Sequence, residues 1–304
     1  MKYFFLNVIK TVPVLILITL IVFILVRVTG DPVALMISEN ATEQEKAELR
    51  EALGLNDNLI VQYINYMGSI IQGDFGESFR YNTDALTLVL DRLPASIELA
   101  IVSMILATIV SVPLGILSAI KRNSLLDLFI TGISVVGKAM PNFWLGIMLI
   151  LVFSVMLSLL PVSGSGTLAH TILPAVALGT GIAAEMTRLI RSSMLEILGQ
   201  DFIRTARSKG LFEAVVVNVH AFRNALIPVV TIMALQTSTL IGGTLITETV
   251  FAWPGVGQLL IQAVNLRDMA VVQAAVFIIA IAVIVSNLLA DLIYRLLDPR
   301  IKYD

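Results

Sequence analysis

The chain has 304 residues, of which 57% are hydrophobic and 14% charged, with a mean hydropathy of +0.92 and a net charge of −2. Soluble domains carry about 25% charged residues, so this composition excludes an ordinary soluble domain and points to several membrane-spanning helices. No cysteine and only two histidines, His170 and His220, exclude disulfides, thiol nucleophiles and Cys-based zinc, and leave few donors for a transition-metal centre built by this chain.

Six spans follow in chain order. The first covers residues 8–28 after Lys2 and Lys10, with no small-residue cleavage site behind it, so it reads as an anchor rather than a removed signal. Arg27 near its far end snorkels to the interface. Residues 29–93 form a structured insertion with 4 basic and 11 acidic side chains. Within it, TEQEKAELREALG (42–54) opens with a Thr42-x-x-Glu45 capping box and stops at Gly54, which predicts a short surface helix. GDFGES (73–78) has the glycines of a tight turn.

The second span covers 95–119, with Pro94 at a first helical position. The apolar region 125–160 is too long for one span of ~20 residues. Pro141 divides it. The part before, with Asp127 and Lys138, reads as interfacial or as a lead-in, and 142–160 crosses. The fourth, fifth and sixth spans cover 172–190, 226–247 and 270–293, and DPR (298–300) stops the last helix. Lys and Arg then set the orientation. With the N-terminus inside, the cytoplasmic pieces hold thirteen, whereas the short outer loops 161–171 and 248–269 hold Arg267 alone. Both termini are therefore expected to be cytoplasmic, in a single all-α polytopic domain spanning 1–304.

Few motifs carry chemistry. There is no G-x-x-x-x-G-K-[ST] phosphate loop and no H-E-x-x-H. GSG (164–166) lies in a polar loop, not a strand-to-helix elbow. Ser134 and Lys138, at i and i+4, leave a Ser–Lys dyad open; snorkelling of Lys138 is the other reading. Charges within or beside the spans sit near their ends: Glu98, Glu185 with Arg188 at i+3, Glu248 and Asp291. A proton-driven carrier would place buried acids near the midplane. Ser103, Thr108, Ser111, Thr231, Thr237, Ser238, Thr239 and Thr244 either line a path for a polar solute or pack helices together.

The loop 191–225 is long enough for two short helices. In DFIRTARSKG (201–210), Asp201 suits the start of a helix and Gly210 its left-handed stop. Phe202 and Ala206 share one face, and Arg204 and Arg207 another. Positive-inside topology accounts for the charge. The helix–glycine–helix layout points further, to docking into a groove on a partner.

These residues carry a resemblance. A cytoplasmic pattern E-A-A-x-x-x-G-x(9)-I-x-L-P is met in spacing by Arg204-Thr205-Ala206, Gly210 and His220-Ala221-Phe222-Arg223, though several side chains depart from it. GDP (30–32), LGLNDNLIVQYINY (53–66), GDFGESF (73–79), LPASIELA (93–100), ETVFAWPGVGQLL (248–260) and LLDPRIKY (296–303) follow in order. The chain resembles the inner-membrane permease subunit of an ATP-binding-cassette importer, in the peptide, nickel and glutathione branch. The resemblance implies a type I importer permease fold of six transmembrane helices, with an extracytoplasmic insertion between the first two, in the cell's inner membrane. It implies that Asp201, Phe202, Arg204, Thr205, Ala206, Arg207, Ser208, Lys209, Gly210 and Leu211 form a coupling helix gripped by an ATPase.

It further implies a second homologous permease, two ATPases that bind the ATP and Mg, an extracytoplasmic substrate-binding protein and no nucleic acid. This chain would hold no cofactor of its own. Phe251, Trp253, Pro254 and Gly255, with segment 29–93, would meet the binding protein; Trp253 as an interfacial belt residue is the other reading. Ser103, Ser111, Thr237, Ser238 and Thr244 are the path candidates. The cargo would be a peptide, or a small polar solute such as a nickel chelate or glutathione. A secondary carrier or channel without an ATPase, and an intramembrane Ser–Lys hydrolase, are the alternative functions.

Overall fold

Helices dominate the computed structural model, which describes residues 2–29, 42–52 and 55–297. Helix α1 covers Lys2–Thr29, and Thr11–Arg27 within it is an apolar stretch. Helix α2 (Glu43–Ala52) starts at the predicted capping box. The Thr42 backbone N–H and hydroxyl both donate to Glu45 Oε2, at 2.8 and 3.0 Å, and the Glu45 N–H donates to the Thr42 hydroxyl at 3.3 Å. The expected stop at Gly54, the GDP at 30–32 and the DPR at 298–300 lie outside the described residues.

Helix α3 (Leu59–Gln72) is capped by Asn58 and closed by Gly73 at φ +80°. The predicted turn at 73–78 holds both its glycines at positive φ, Gly73 at +80° and Gly76 at +84°, and leads into a hairpin whose strands β1 (Glu77–Ser78) and β2 (Thr83–Asp84) pair antiparallel, Glu77 opposite Asp84 and Ser78 opposite Thr83. Helix α4 (Ala85–Ile120) follows at once. Asp84 Oδ2 accepts from the Thr87 N–H at 2.7 Å and starts the helix. Pro94 is therefore interior, not at the first turn: the helical ladder begins ten residues upstream of the apolar stretch that marked the span.

Helix α5 (Leu125–Ala139) and α6 (Asn142–Leu149) meet at Pro141 with a bend of 104°. The break follows from Pro141, whose missing N–H and ring end α5 and leave it extended as the cap of α6. Beyond α6 the backbone widens to a π-helical turn over Ile150–Met156, so the helical part of the expected span 142–160 ends at Met156.

Helix α7 (Leu168–Leu198) and the short α8 (Asp201–Ser208) come next. Then α9 (Glu213–Val215), a π-helical segment Val216–Ala221 and α10 (Phe222–Val250) run on without a break. The expected loop 191–225 is thus much shorter, because both flanking helices extend through polar residues that hydropathy alone assigns to a loop. Helix α11 (Val256–Leu266) and α12 (Met269–Leu297) complete the order.

Four helical stretches among the described residues, Ala85–Ile120, Leu168–Leu198, Pro228–Val250 and Met269–Ile293, are long and apolar enough to cross a membrane, and the bent α5–α6 pair makes a fifth if it counts as one span.

The chain divides into two units, Met1–Ala95 with Pro254–Ile284, and Ser96–Trp253 with Val285–Asp304. The first has a core of Ile70, Phe75, Val89, Leu259, Val271 and Ala274. Its hairpin is held by the Ser78 hydroxyl donating to Asp268, which precedes α12. In the second, α7 packs against α5, α6 and α10. Glycines set the closest approaches. A Cβ on Gly115 of α4 would stand 2.6 Å from Ile190 Cβ, and one on Gly179 of α7 would stand 3.0 Å from the Ser103 carbonyl.

Candidate functional site

The eight-residue α8 lies between the two long helices, as its sequence predicts. Asp201 sits in its first turn and Gly210, at φ +76°, ends it in the left-handed region. Its faces differ from the sequence reading in one respect. Ile203 is fully buried and Ala206 buried with it, whereas Phe202 is half open. Ala206 therefore belongs to the inner face, where α8 packs on the π-helical segment with its buried Val216 and Val217. The outward apolar surface is Phe202 with Leu211 and Phe212, the last 83% exposed.

Arg207 forms a two-pronged pair with Glu213, Nη2 to Oε1 at 2.6 Å and Nε to Oε2 at 3.1 Å, which bridges the Gly210 turn. The guanidinium holds the Glu213 carboxyl below the usual carboxylate range, and the carboxylate raises Arg207 in return. Arg204 stands beside Asp201 at 3.7 Å, both exposed. Thr205 and Ser208 hydroxyls donate to the backbone carbonyls of Asp201 and Arg204, and Lys209 is exposed. An apolar knob flanked by two arginine–carboxylate pairs and by Lys209 is the surface this segment offers.

Two polar clusters tie the long helices together, and sequence reasoning missed both. Asp127 on α5 is buried and accepts Arg191 of α7 through two bonds, Nε to Oδ1 at 2.7 Å and Nη2 to Oδ2 at 2.8 Å. Ser118 of α4 and the Asn123 backbone N–H donate to the same carboxylate. Lys138 of α5 donates to Glu185 Oε2 of α7 at 2.6 Å, and Gln236 of α10 donates to that oxygen at 3.0 Å. Glu185 therefore pairs across helices, not with Arg188 one turn on. The Ser134 hydroxyl donates to the Ile130 carbonyl at 2.8 Å. With its hydroxyl turned to its own helix and Lys138 bound to Glu185, no Ser–Lys dyad forms. The signal available in the sequence was the presence of Asp127, Lys138 and Glu185 inside apolar segments.

The path candidates lie mostly inside the chain. Ser103 and Ser111 are fully buried, their hydroxyls donating to the carbonyls of Leu99 and Thr108 at 2.7 and 3.4 Å. Ser238 is buried and donates to Asn287 Oδ1 at 2.7 Å, and Thr244 is buried. Thr237 is half-buried and donates to the Met233 carbonyl. The expected aromatic anchors are also internal. Phe251 and Trp253 are each 2% exposed. The Trp253 N–H donates to the Glu248 carbonyl at 2.8 Å, and the Phe251 ring closes over Gly146. Ala252, at φ +46°, is the exposed residue of that turn; Pro254 is half-buried and Gly255 buried.

Among the described residues there is no cluster of three or more His, Asp or Glu side chains placed to hold a metal ion.

Comparison with known proteins gives a consistent picture. The family described as binding-protein-dependent transport system inner membrane component matches residues 111–303, and its N-terminal counterpart matches 1–100. The oligopeptide transport system permease protein AppB of Bacillus subtilis (strain 168) is 42% identical, with 96% of each chain covered. The dipeptide transport system permease protein DppB of Escherichia coli (strain K12) is 41% identical over the same share of each. The glutathione transport system permease protein GsiC of Salmonella typhimurium is 39% identical, again with 96% of each covered. Among solved structures, the inward-facing MetNI methionine ABC transporter in its native crystal form matches with a TM-score of 0.56 at 20% identity. That match covers 69% of this chain and 96% of that one and shows a shared fold.

Proposed function

The chain belongs to the binding-protein-dependent transport system inner membrane component family, and we propose that it is one membrane-spanning half of an ATP-driven importer carrying short peptides or a related small polar solute. The alternatives, a carrier without an ATPase and a hydrolase, lack both this family match and a formed dyad. The proposed assembly pairs this chain with a second, related permease, two ATPases and an extracytoplasmic binding protein. Six transmembrane helices, with α1 as the first and the α5–α6 pair as the third, and both termini in the cytoplasm, complete the reading. The outer segment 29–93 is assigned to the binding protein.

The observation that carries this reading is α8. It is a short helix between two long ones, seated on its own chain through Ile203 and carrying an outward apolar knob beside Arg204, Arg207 and Lys209. We assign it as the coupling helix, with Asp201–Leu211 as the segment an ATPase grips. A push on α8 passes backward into α7 through the Gly199–Gln200 link and forward through the π-helical segment into α10. The wide turn is assigned as the compliant part of that lever, since π turns interrupt the regular α-helical ladder and occur often at functional sites.

ATP and Mg belong to the partner ATPases in this scheme; this chain contributes helix movement, which alternates access to the solute. The test is uptake in proteoliposomes holding both permeases and the ATPases, with binding protein outside. Radiolabelled peptide should accumulate only with ATP and binding protein present. Uptake that needs neither would overturn the reading in favour of a secondary carrier.

A further inference from the structure

Three helices of one unit bring polar groups together at the α5–α6 break. Lys138, Glu185 and Gln236 share the single oxygen Glu185 Oε2, at 2.6 Å from Lys138 Nζ and 3.0 Å from Gln236 Nε2. Asn142, the first residue of α6, has its Oδ1 3.8 Å from where a Cβ on Gly181 would stand. Gly181 is one turn before Glu185, so the amide and the carboxylate occupy neighbouring turns of α7. The ion pair is not enclosed: the Lys138 side chain is 49% exposed and that of Glu185 31%.

Glu185 sits in α7, which is long and apolar enough to cross a membrane, and Lys138 sits in α5, which reaches that length only together with α6. A charge at the hydrocarbon centre costs about 2.5–3.5 kcal/mol on insertion scales, and such residues face protein or water. The open side of this pair therefore looks onto an aqueous or polar space. The other side of α5 is different. Phe129, Ile133 and Val136 border a groove of about 640 Å³ lined almost wholly by apolar and small residues. Val136 and Lys138 are two residues apart, roughly 200° around the helix. Phe129, Ile133 and Val136 thus lie on one side of α5 and Lys138 on the other, towards Glu185 of α7.

We infer that Lys138, Glu185 and Gln236 line the solute path and contact the two ends of a zwitterion, a solute with a free ammonium and a free carboxylate such as a short peptide. The solute ammonium takes the place of Lys138 at Glu185, and the solute carboxylate takes the released Lys138. Gln236 keeps Glu185 in position during the exchange. Each new contact replaces an existing one of the same kind, which keeps the solute's stay short, as conduction requires. The inference rests on the permease reading above. It also moves the path from Ser103 and Ser111, which the chain buries, to a face that is open.

The chain has no cysteine, so single cysteines report directly. In the assembled transporter, Lys138→Cys should react with a membrane-impermeant thiosulfonate at least tenfold faster than Val136→Cys, and alanyl-alanine delivered by the binding protein should slow that reaction. Separately, Glu185→Gln and Lys138→Gln should each lower alanyl-alanine or glutathione uptake per assembled complex about tenfold. The swapped pair Lys138→Glu with Glu185→Lys should not restore it.

Equal labelling at 138 and 136, no protection by solute, wild-type uptake by Glu185→Gln, or rescue by the swap would each overturn the site and leave the permease reading intact. If Glu185→Gln fails to assemble, the labelling comparison decides alone. A wild-type complex that carries only a nickel chelate would overturn the zwitterion assignment. One that transports nothing would overturn the permease reading and this inference with it.

Discussion

Gly115 has no room for a side chain: an added Cβ would meet Ile190 at 2.6 Å and the Thr187 carbonyl at 3.0 Å. Gly115→Ala should cost about 1–3 kcal/mol by overpacking, read as a lowered unfolding midpoint of the detergent-solubilised chain. Gly132→Ala is the control, since nothing lies within 4 Å of its Cβ position. It should be neutral or stabilise by roughly 0.5–1 kcal/mol, as alanine does for glycine within a helix.

Asp127 is the second point of failure. Asp127→Ala strands Arg191, and removing one partner of a buried pair costs about 3–5 kcal/mol. The lower end applies, because Arg191 keeps 28% of its side chain exposed. Asp127→Ala with Arg191→Met should recover much of the loss, measured in the same unfolding experiment. The charges themselves were legible in the sequence as intruders in apolar stretches. Their partners were not, because Arg191 is 64 residues from Asp127. Helix-neighbour spacing likewise offered Arg188 to Glu185, but a cation from another helix at 2.6 Å took it. Pairing across helices depends on crossing geometry, which residue spacing within one helix does not encode.

At the scale of the element, α8 joins a local fold to a proposed grip. Its length, acidic start and glycine stop were all legible, because each is a local backbone requirement. Which apolar residue faces home was not. In eight residues, Phe202, Ile203 and Ala206 offer two possible faces, and the choice belongs to Val216 and Val217 of the following segment. The Arg207–Glu213 pair is exposed, so it adds only about 0–1 kcal/mol to stability. Arg207→Glu should therefore leave the fold standing and weaken ATPase association about tenfold or more, seen as loss of co-purified ATPase.

Gly210→Pro should uncouple ATP hydrolysis from uptake, since proline cannot adopt φ +76°. Survival of both activities in these variants would refute the coupling role. Glu213 has a lowered pKa, so its share of the pair is present above the unfolded carboxylate value of about 4.3 and is lost as pH falls through the lower folded value. ATPase association should accordingly show no titration from this pair across the neutral range.

For the whole molecule, hydropathy located the apolar stretches but not the helix ends. Helices α4 and α7 run well past their apolar stretches, and the α9–α10 helix begins thirteen residues before residue 226, where hydropathy starts the span. Backbone hydrogen bonding continues wherever it is unopposed, whereas hydropathy falls at the first charged turn. The loop aromatics show the same limit: Phe251 and Trp253 looked like surface anchors by type, and packing within the chain buries them. The proposed orientation, with both termini and α8 inside, joins topology and function in one claim, that an ATPase takes hold of this chain at α8.

Phe212, 83% exposed beside Gly210, is the place to test it. Phe212→Cys would be the sole cysteine of the chain. In oriented vesicles holding the complete transporter, it should crosslink to an ATPase subunit through a short bifunctional thiol reagent, with a yield that changes when ATP is added. A cysteine at 212 that labels from the outer side, or that forms no ATPase adduct with or without nucleotide, would contradict the account.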